Sequence, residues 1–302
     1  MTSGGAGVGN PADHISWTAI SGGSAFGSQD RSSTGNTAYG PVNASWFGEQ
    51  SQAVTVHGLQ WQLDAFGMPH TYTGYGEATT TVSDAGTVAG LALPLAPVTT
   101  GHVAMGVDIS GGHVVTDKIG WLAFSDWSAI PLWRDQTPST SGSYAVPQID
   151  ASIGLQVTMV AGLRRLDHYE PGFAAGAVVD LRPGDAPNLS QPANGSVGVT
   201  TTRAFTYVGT ANTVTVALMS SDASSDFIVY TDDDTLTLPS VPALGLVPSG
   251  NATFFWGIYS IGPYDSIDAY VGDDGGIHAF GLNRPVTIGT SQLFQFNTAA
   301  VP

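Results

Sequence analysis

The residues in this 302-residue chain best suited to chemistry are carboxylates. They gather twice, at Asp232, Asp233 and Asp234 and at Asp273 and Asp274. Adjacent carboxylates repel one another, so each cluster calls for solvent or a cation. Hard oxygen ligands on a loop suit Ca2+, the one cofactor these residues suggest. Neither an EF-hand spacing nor a Gly-Gly-x-Gly-x-Asp repeat surrounds them. Paired carboxylates also serve glycoside hydrolysis, but both clusters fall between expected strands, and Asp273-Asp274-Gly275-Gly276 has plain turn chemistry.

The other chemical groups are scattered. No pair among His14, His57, His70, His102, His113, His168 and His278 has the spacing of a helical zinc motif. His102 and His113 each flank a strand beside a Gly turn, a placement that allows them to face each other across a hairpin. Otherwise they are solvated loop imidazoles. Serine catalysis needs a hydroxyl on a strained turn with an imidazole in reach, and no G-x-S-x-G elbow is present. The absence of cysteine removes disulfides, thiolate metal sites and thiol nucleophiles. The residues therefore carry no catalytic signature, and the expectation is a protein that is not an enzyme.

Aromatic residues offer recognition instead. Trp121, Trp127 and Trp133 recur every six residues, which on one strand would place all three on one face. Pro131 and Ser125-Asp126 bend that segment, so at least one of the three belongs in the core. Trp127 and Trp133, beside Asp126, Arg134 and Asp135, are the pair expected at the surface. Tyr72 and Tyr75, with His70 among Gly and Thr, form a second, loop-borne aromatic group. Aromatic loops on a β-sandwich bind glycans or protein partners.

The elements that position these residues follow from composition. Asp outnumbers Glu 21 to 3, there is a single Lys, and Gly, Thr, Ser, Val and Ala dominate. Glu and Lys cover exposed helix faces, so a chain nearly without them is built from strands and tight turns. The formal charge of −16 repels phosphate backbones and excludes nucleic acid as the expected partner. No apolar run approaches the ~18 residues of a membrane span. Met1 to Asn10 has no basic region and no hydrophobic centre, so no export signal is expected there.

Strands recur at about ten-residue spacing with turns between them, the sandwich pattern. They are expected at Ile15–Ile20, Leu59–Leu63, Thr79–Val82, Gly86–Leu93, His102–Ile109 and Val114–Phe124. Ile153–Arg165 is long enough for a helix, but its period of two and its Val and Thr content favour a strand. Arg182 to Asn194 carries three prolines and two Asn without periodicity, as a linker would. Strands then follow at Arg203–Tyr207, Val214–Leu218, Phe227–Tyr230, Thr235–Leu238, Thr253–Ile261, Ile267–Val271 and Leu293–Asn297. The expected fold is all-β. A Gly- and Ser-rich arm spans 1–42, an antiparallel β-sandwich 43–183, a linker 184–195 and a second, immunoglobulin-sized sandwich 196–302.

The second half carries Phe205-Thr206-Tyr207, Phe227-Ile228-Val229-Tyr230-Thr231, Thr253-Phe254-Phe255-Trp256-Gly257-Ile258 and the closing Phe294-Gln295-Phe296-Asn297-Thr298. Together these resemble the fibronectin type III-like domains of secreted bacterial surface proteins of a kind common in myxobacteria. Gly86 to Leu181, through Ser141-Gly142-Ser143-Tyr144-Ala145-Val146-Pro147, more weakly resembles the carboxypeptidase-regulatory-like sandwich. Both resemblances imply spacers, adhesive modules or assembly modules and carry no catalytic residues.

The function expected is that of an extracellular or particle-surface structural protein acting by assembly or adhesion, with itself or other surface proteins as partners. Low charge density (11%) beside a mean hydropathy of +0.10 leaves much uncharged surface for contact. The arm, or an unpaired sheet edge, is expected to complete a neighbour's sheet by strand addition. The alternatives are a glycan-binding module using Trp127, Trp133, Tyr72 and Tyr75, and a phage or viral surface protein.

Overall fold

A computed structural model describes residues 51–83, 86–124, 129–223, 225–272 and 284–300, together with the backbone of six strands within the first 45 residues. Those six are β1 (Thr2–Gly4), β2 (Ile15–Ser21), β3 (Phe26–Gly27), β4 (Asp30–Ser32), β5 (Ala38–Pro41) and β6 (Ala44–Ser45). The arm is thus a set of short strands where the sequence suggested one. Ten strands follow: β7 (Ser51–Leu63), β8 (Pro69–Ser83), β9 (Ala89–Leu91), β10 (Thr99–Val107), β11 (Val114–Ala123), β12 (Ala129–Asp135), β13 (Ser141–Gln148), β14 (Ser152–Ala161), β15 (Arg164–Phe173) and β16 (Val178–Leu181). The remainder comprises β17 (Asn188–Gln191), β18 (Ser196–Val199), β19 (Ala204–Val208), β20 (Val214–Ser220), β21 (Phe227–Thr231), β22 (Thr235–Thr237), β23 (Thr253–Gly262), α1 (Ile267–Gly272), β24 (Val286–Thr290) and β25 (Phe294–Thr298).

The fold is all-β and dominated by antiparallel pairing. Alternation decides the burial: Leu155, Val157 and Met159 of β14 are fully buried at every second position. The long run from Ile153 is a strand, as its period of two predicts. It ends at Ala161, where a turn at Gly162 and Leu163 starts β15 and leaves Leu163 at 83% exposure. Ile267–Val271 is a correction, because this stretch forms α1. Ser266 stands at the helix start, its Oγ accepting from Ala269 N at 3.1 Å, and Asp268 lies in the first turn. Five residues of apparent alternation cannot outweigh a capping serine followed by a helical turn.

Among the described residues the largest sheet has ten strands, in the order β12-β11-β14-β15-β24-β23-β20-β21, with β25 on β23 and β18 on β25. It continues from one half of the chain into the other through β24, which pairs with β15 on one side and β23 on the other. β23 pairs with β20 along one edge and divides its second edge between β24 and β25. At the division, Ser291 satisfies Ile258 twice: its Oγ accepts from Ile258 N at 2.9 Å, and its N–H donates to Ile258 O at 3.0 Å. Within 184–195, β17 pairs antiparallel with β19.

Two main cores flank this junction. One runs from Leu59 to Ala186 and includes Trp61, Tyr72, Met105, Leu122, Ile130 and Trp133. The other runs from Leu189 to Phe296 around Phe205, Phe254 and Trp256. His113 fastens the end of the first core. Its Nδ1 bonds to Ser110 O at 2.7 Å and its Nε2 accepts from Ala186 N at 3.3 Å, so Nδ1 carries the proton.

Close approach fixes one glycine. A Cβ on Gly76 would fall 2.1 Å from Pro94 O, because the segment after β9 crosses β8 there through a Tyr75–Ala96 bridge. Gly76→Ala is expected to lift that segment and cost about 1–3 kcal/mol. Chemical denaturation checks this, and an unchanged midpoint would refute the packing described.

Candidate functional site

The sites suggested by the sequence separate into buried, exposed and undescribed residues. Trp127, Asp273 and Asp274 lie outside the described residues. Trp133 is 4% exposed; its ring stacks on Tyr144 at 3.8 Å and 13° and packs against Gly120. A ring covered in this way cannot serve as a platform for a sugar. Tyr72 is 1% exposed and lies in strand β8, not in a loop; burial pushes its hydroxyl well above the usual range. Tyr75 is also in β8, half-buried, with its hydroxyl bonded to His57 Nδ1 at 3.0 Å and to Glu77 Oε2 at 3.1 Å.

The charged neighbours of Trp133 do not bring it to the surface because they have partners of their own. Arg134 forms a fork on the Asp117 carboxylate, which holds the guanidinium further toward its charged form. Asp135 faces Lys118, the only lysine, across the β11–β12 ladder. Lys118 has no exposed surface. Its Nζ donates to Thr137 O at 2.9 Å and Ser139 O at 2.7 Å and pairs with Asp135 Oδ2 at 3.0 Å. Tyr144 donates to the same carboxylate at 2.6 Å. Burial alone would raise Asp135, but hydrogen bonds from Tyr144, Thr137 and Lys118 outweigh it and hold the carboxyl down at about 2. A cluster built in this way around a fully buried lysine is structural.

Asp232, Asp233 and Asp234 form an exposed turn between β21 and β22. Their backbone is used locally: Tyr207 donates its hydroxyl to Asp233 O, and Asp233 N donates to Thr231 Oγ1 at 3.0 Å. Among the described residues no group of three or more His, Asp or Glu is placed to hold a metal. His102 and His113 do not meet across a hairpin, because β10 pairs with β13 and β16 while β11 pairs with β12 and β14.

One hydroxyl–imidazole–carboxylate chain escaped the sequence reading. His168 Nδ1 lies 2.9 Å from Thr287 Oγ1, and His168 Nε2 lies 3.6 Å from Glu170 Oε2. Burial lowers the His168 pKa against the pull of Glu170. These groups sit mid-ladder, and β24 is paired on both sides, which commits its backbone to the sheet. A nucleophile needs free N–H groups aimed at a developing oxyanion; the chain is a cross-strand contact.

Two adjoining grooves, of about 390 and 230 Å3, lie where the turn after β7 meets β12. They share Met68, Pro69 and Trp133; Trp121 and Arg134 line the larger, Asp64, His70 and His102 the smaller.

The sheet surface around β23 was also missed. Its inward residues Phe254, Trp256 and Ile258 are core, yet its outward residues Phe255 and Tyr259 are apolar too, at 45% and 42% exposure. Apolar residues at both parities of one strand were the available signal.

No family model matches the chain. Nor does any curated protein. Solved structures give distant likenesses. A fimbrial assembly protein from Parabacteroides distasonis is 11% identical, with 57% of this chain and 83% of that chain covered and a TM-score of 0.21. A tetra-tandem repeat from the extending region of a large adhesion protein is 9% identical, over 96% of this chain and 68% of that one, with a TM-score of 0.22. A streptococcal ancillary pilin is 10% identical, over 77% and 71%, with a TM-score of 0.20. At these scores the likenesses carry no argument about this chain.

Proposed function

We propose that this chain is a non-enzymatic structural protein of a cell or particle surface that works by assembly or adhesion through added strands. In this reading residues 1–42 are a donor arm, and 43–183 and 196–302 are the bodies that receive and space it. The observation that supports it is the seating of β2. This strand pairs antiparallel with β7 over seven residues, from Ile15↔Trp61 to Ser21↔Thr55. β7 therefore offers an edge that takes a strand from a sequence-distant segment, and 29 residues separate the end of β2 from the start of β7. The same segment of a neighbouring copy meets the same edge on equal terms, which is how strand exchange joins subunits.

Deleting residues 1–39 tests this. The truncated chain is expected to keep its β-sheet circular dichroism and lose its higher oligomers in light scattering. Unchanged assembly would count against strand addition.

A further inference from the structure

The geometry points to a second, independent contact: the outward face of the β21-β20-β23-β25-β18 sheet packs against the same face of a second copy of this chain. Its residues are Ile228 (63% exposed), Tyr230 (47%), Phe255 (45%), Tyr259 (42%), Leu293 (67%) and Val197 (80%). Register puts Ile228, Tyr230, Phe255 and Tyr259 on one surface. Leu218 of β20 lies opposite Ile228 on one side and Gly257 on the other; Val216 lies likewise between Tyr230 and Tyr259. Leu293 caps the centre, its Cδ2 2.8 Å from where a Gly257 Cβ would stand. At one end Tyr230 stacks on Tyr270 of α1 at 5.8 Å.

Three observations select the occupant. First, β23 and β21 are apolar at both parities, the pattern of strands covered on both faces. Second, this face carries no charged side chain along β20, β21, β23 or β25, in a chain whose net charge is −16. A basic partner would find nothing to pair with here, whereas an equally uncharged sheet lets two acidic copies approach, and the chain supplies one. Third, six large side chains about half exposed offer roughly 600 Å2 per copy, so a two-fold pair buries about 1,200 Å2, the lower bound for a stable interface. The carboxylates Asp226 and Asp232 stand just beyond the two ends of β21. They form a polar rim that is costly to bury and so confines the contact to the centre.

The absence of cysteine makes the test specific. Leu293→Cys places a lone thiol at the centre of the face, and Val208→Cys places one on β19, in another sheet, at a site of similar exposure (64%). Under mild oxidation the full-length Leu293→Cys protein is expected to give covalent dimer at least about tenfold faster than Val208→Cys. Adding Tyr259→Asp, which buries a carboxylate in the contact, should reduce that rate at least about tenfold without changing the circular dichroism. Adding Tyr259→Phe should leave it unchanged. Raising salt should accelerate cross-linking by screening repulsion between the copies. Equal rates at the two cysteines, or indifference to Tyr259→Asp, would overturn the proposal. The contact does not depend on the arm: loss of strand exchange leaves the cross-link in place, and loss of the cross-link leaves strand exchange in place.

Discussion

Lys118→Met is expected to destabilise the fold by about 3–5 kcal/mol, because it leaves the Asp135 carboxylate beside an emptied polar site in the interior. The lysine is fully buried, bonded to two backbone carbonyls and paired with Asp135 at 3.0 Å. Removing both charges, in Lys118→Met with Asp135→Asn, should recover part of the loss, since the uncompensated charge is then gone. Urea denaturation at neutral pH measures both. Equal stability of the single variant and the parent would show that the pair does not hold the β11–β12 ladder.

The same carboxyl predicts an acid limb. Asp135 is held at about 2, below its ordinary 3.8. A depressed carboxyl contributes stability above its unfolded value and loses it as pH falls toward the folded value. Stability should therefore fall between roughly pH 4 and pH 2, and Asp135→Asn should lose less over that range.

Trp256→Ala should be comparably severe, at about 3–5 kcal/mol. Trp256 has no exposed surface and meets Phe205 edge-on at 5.0 Å and Phe294 at 6.5 Å. It sits on β23, the strand that joins β20, β24 and β25. Hydrogen exchange should accordingly quicken in β20 and β25 before it does in β8. Uniform quickening would argue against β23 as the local hub.

The sequence showed which segments are strands better than it showed what covers them. β14 is legible because Ile153, Leu155, Val157 and Met159 recur at every second position, whereas α1 is six residues long and its short run alternates by chance. Trp133 was expected at the surface because Arg134 and Asp135 flank it. Those charges are consumed by Asp117 and Lys118, partners 17 residues away in sequence that only the ladder brings near. Tyr72 was placed in a loop because Gly and Thr surround it. Those residues continue β8, where Gly76 makes room for a crossing segment. The division of β23 depends on Ser291, 33 residues distant, and has no local signature. The outward aromatic face was legible in Phe254-Phe255-Trp256, where neighbours of opposite parity are all large.

Light scattering of the full-length chain beside a Thr18→Pro variant tests strand addition most directly. Thr18 lies mid-strand, paired with Asp30 on one side and Gly58 on the other, and proline there removes a ladder donor. The parent should form higher oligomers, and the variant should show nothing larger than a dimer. A parent that stays monomeric at every concentration, or a variant that assembles equally well, would contradict the account.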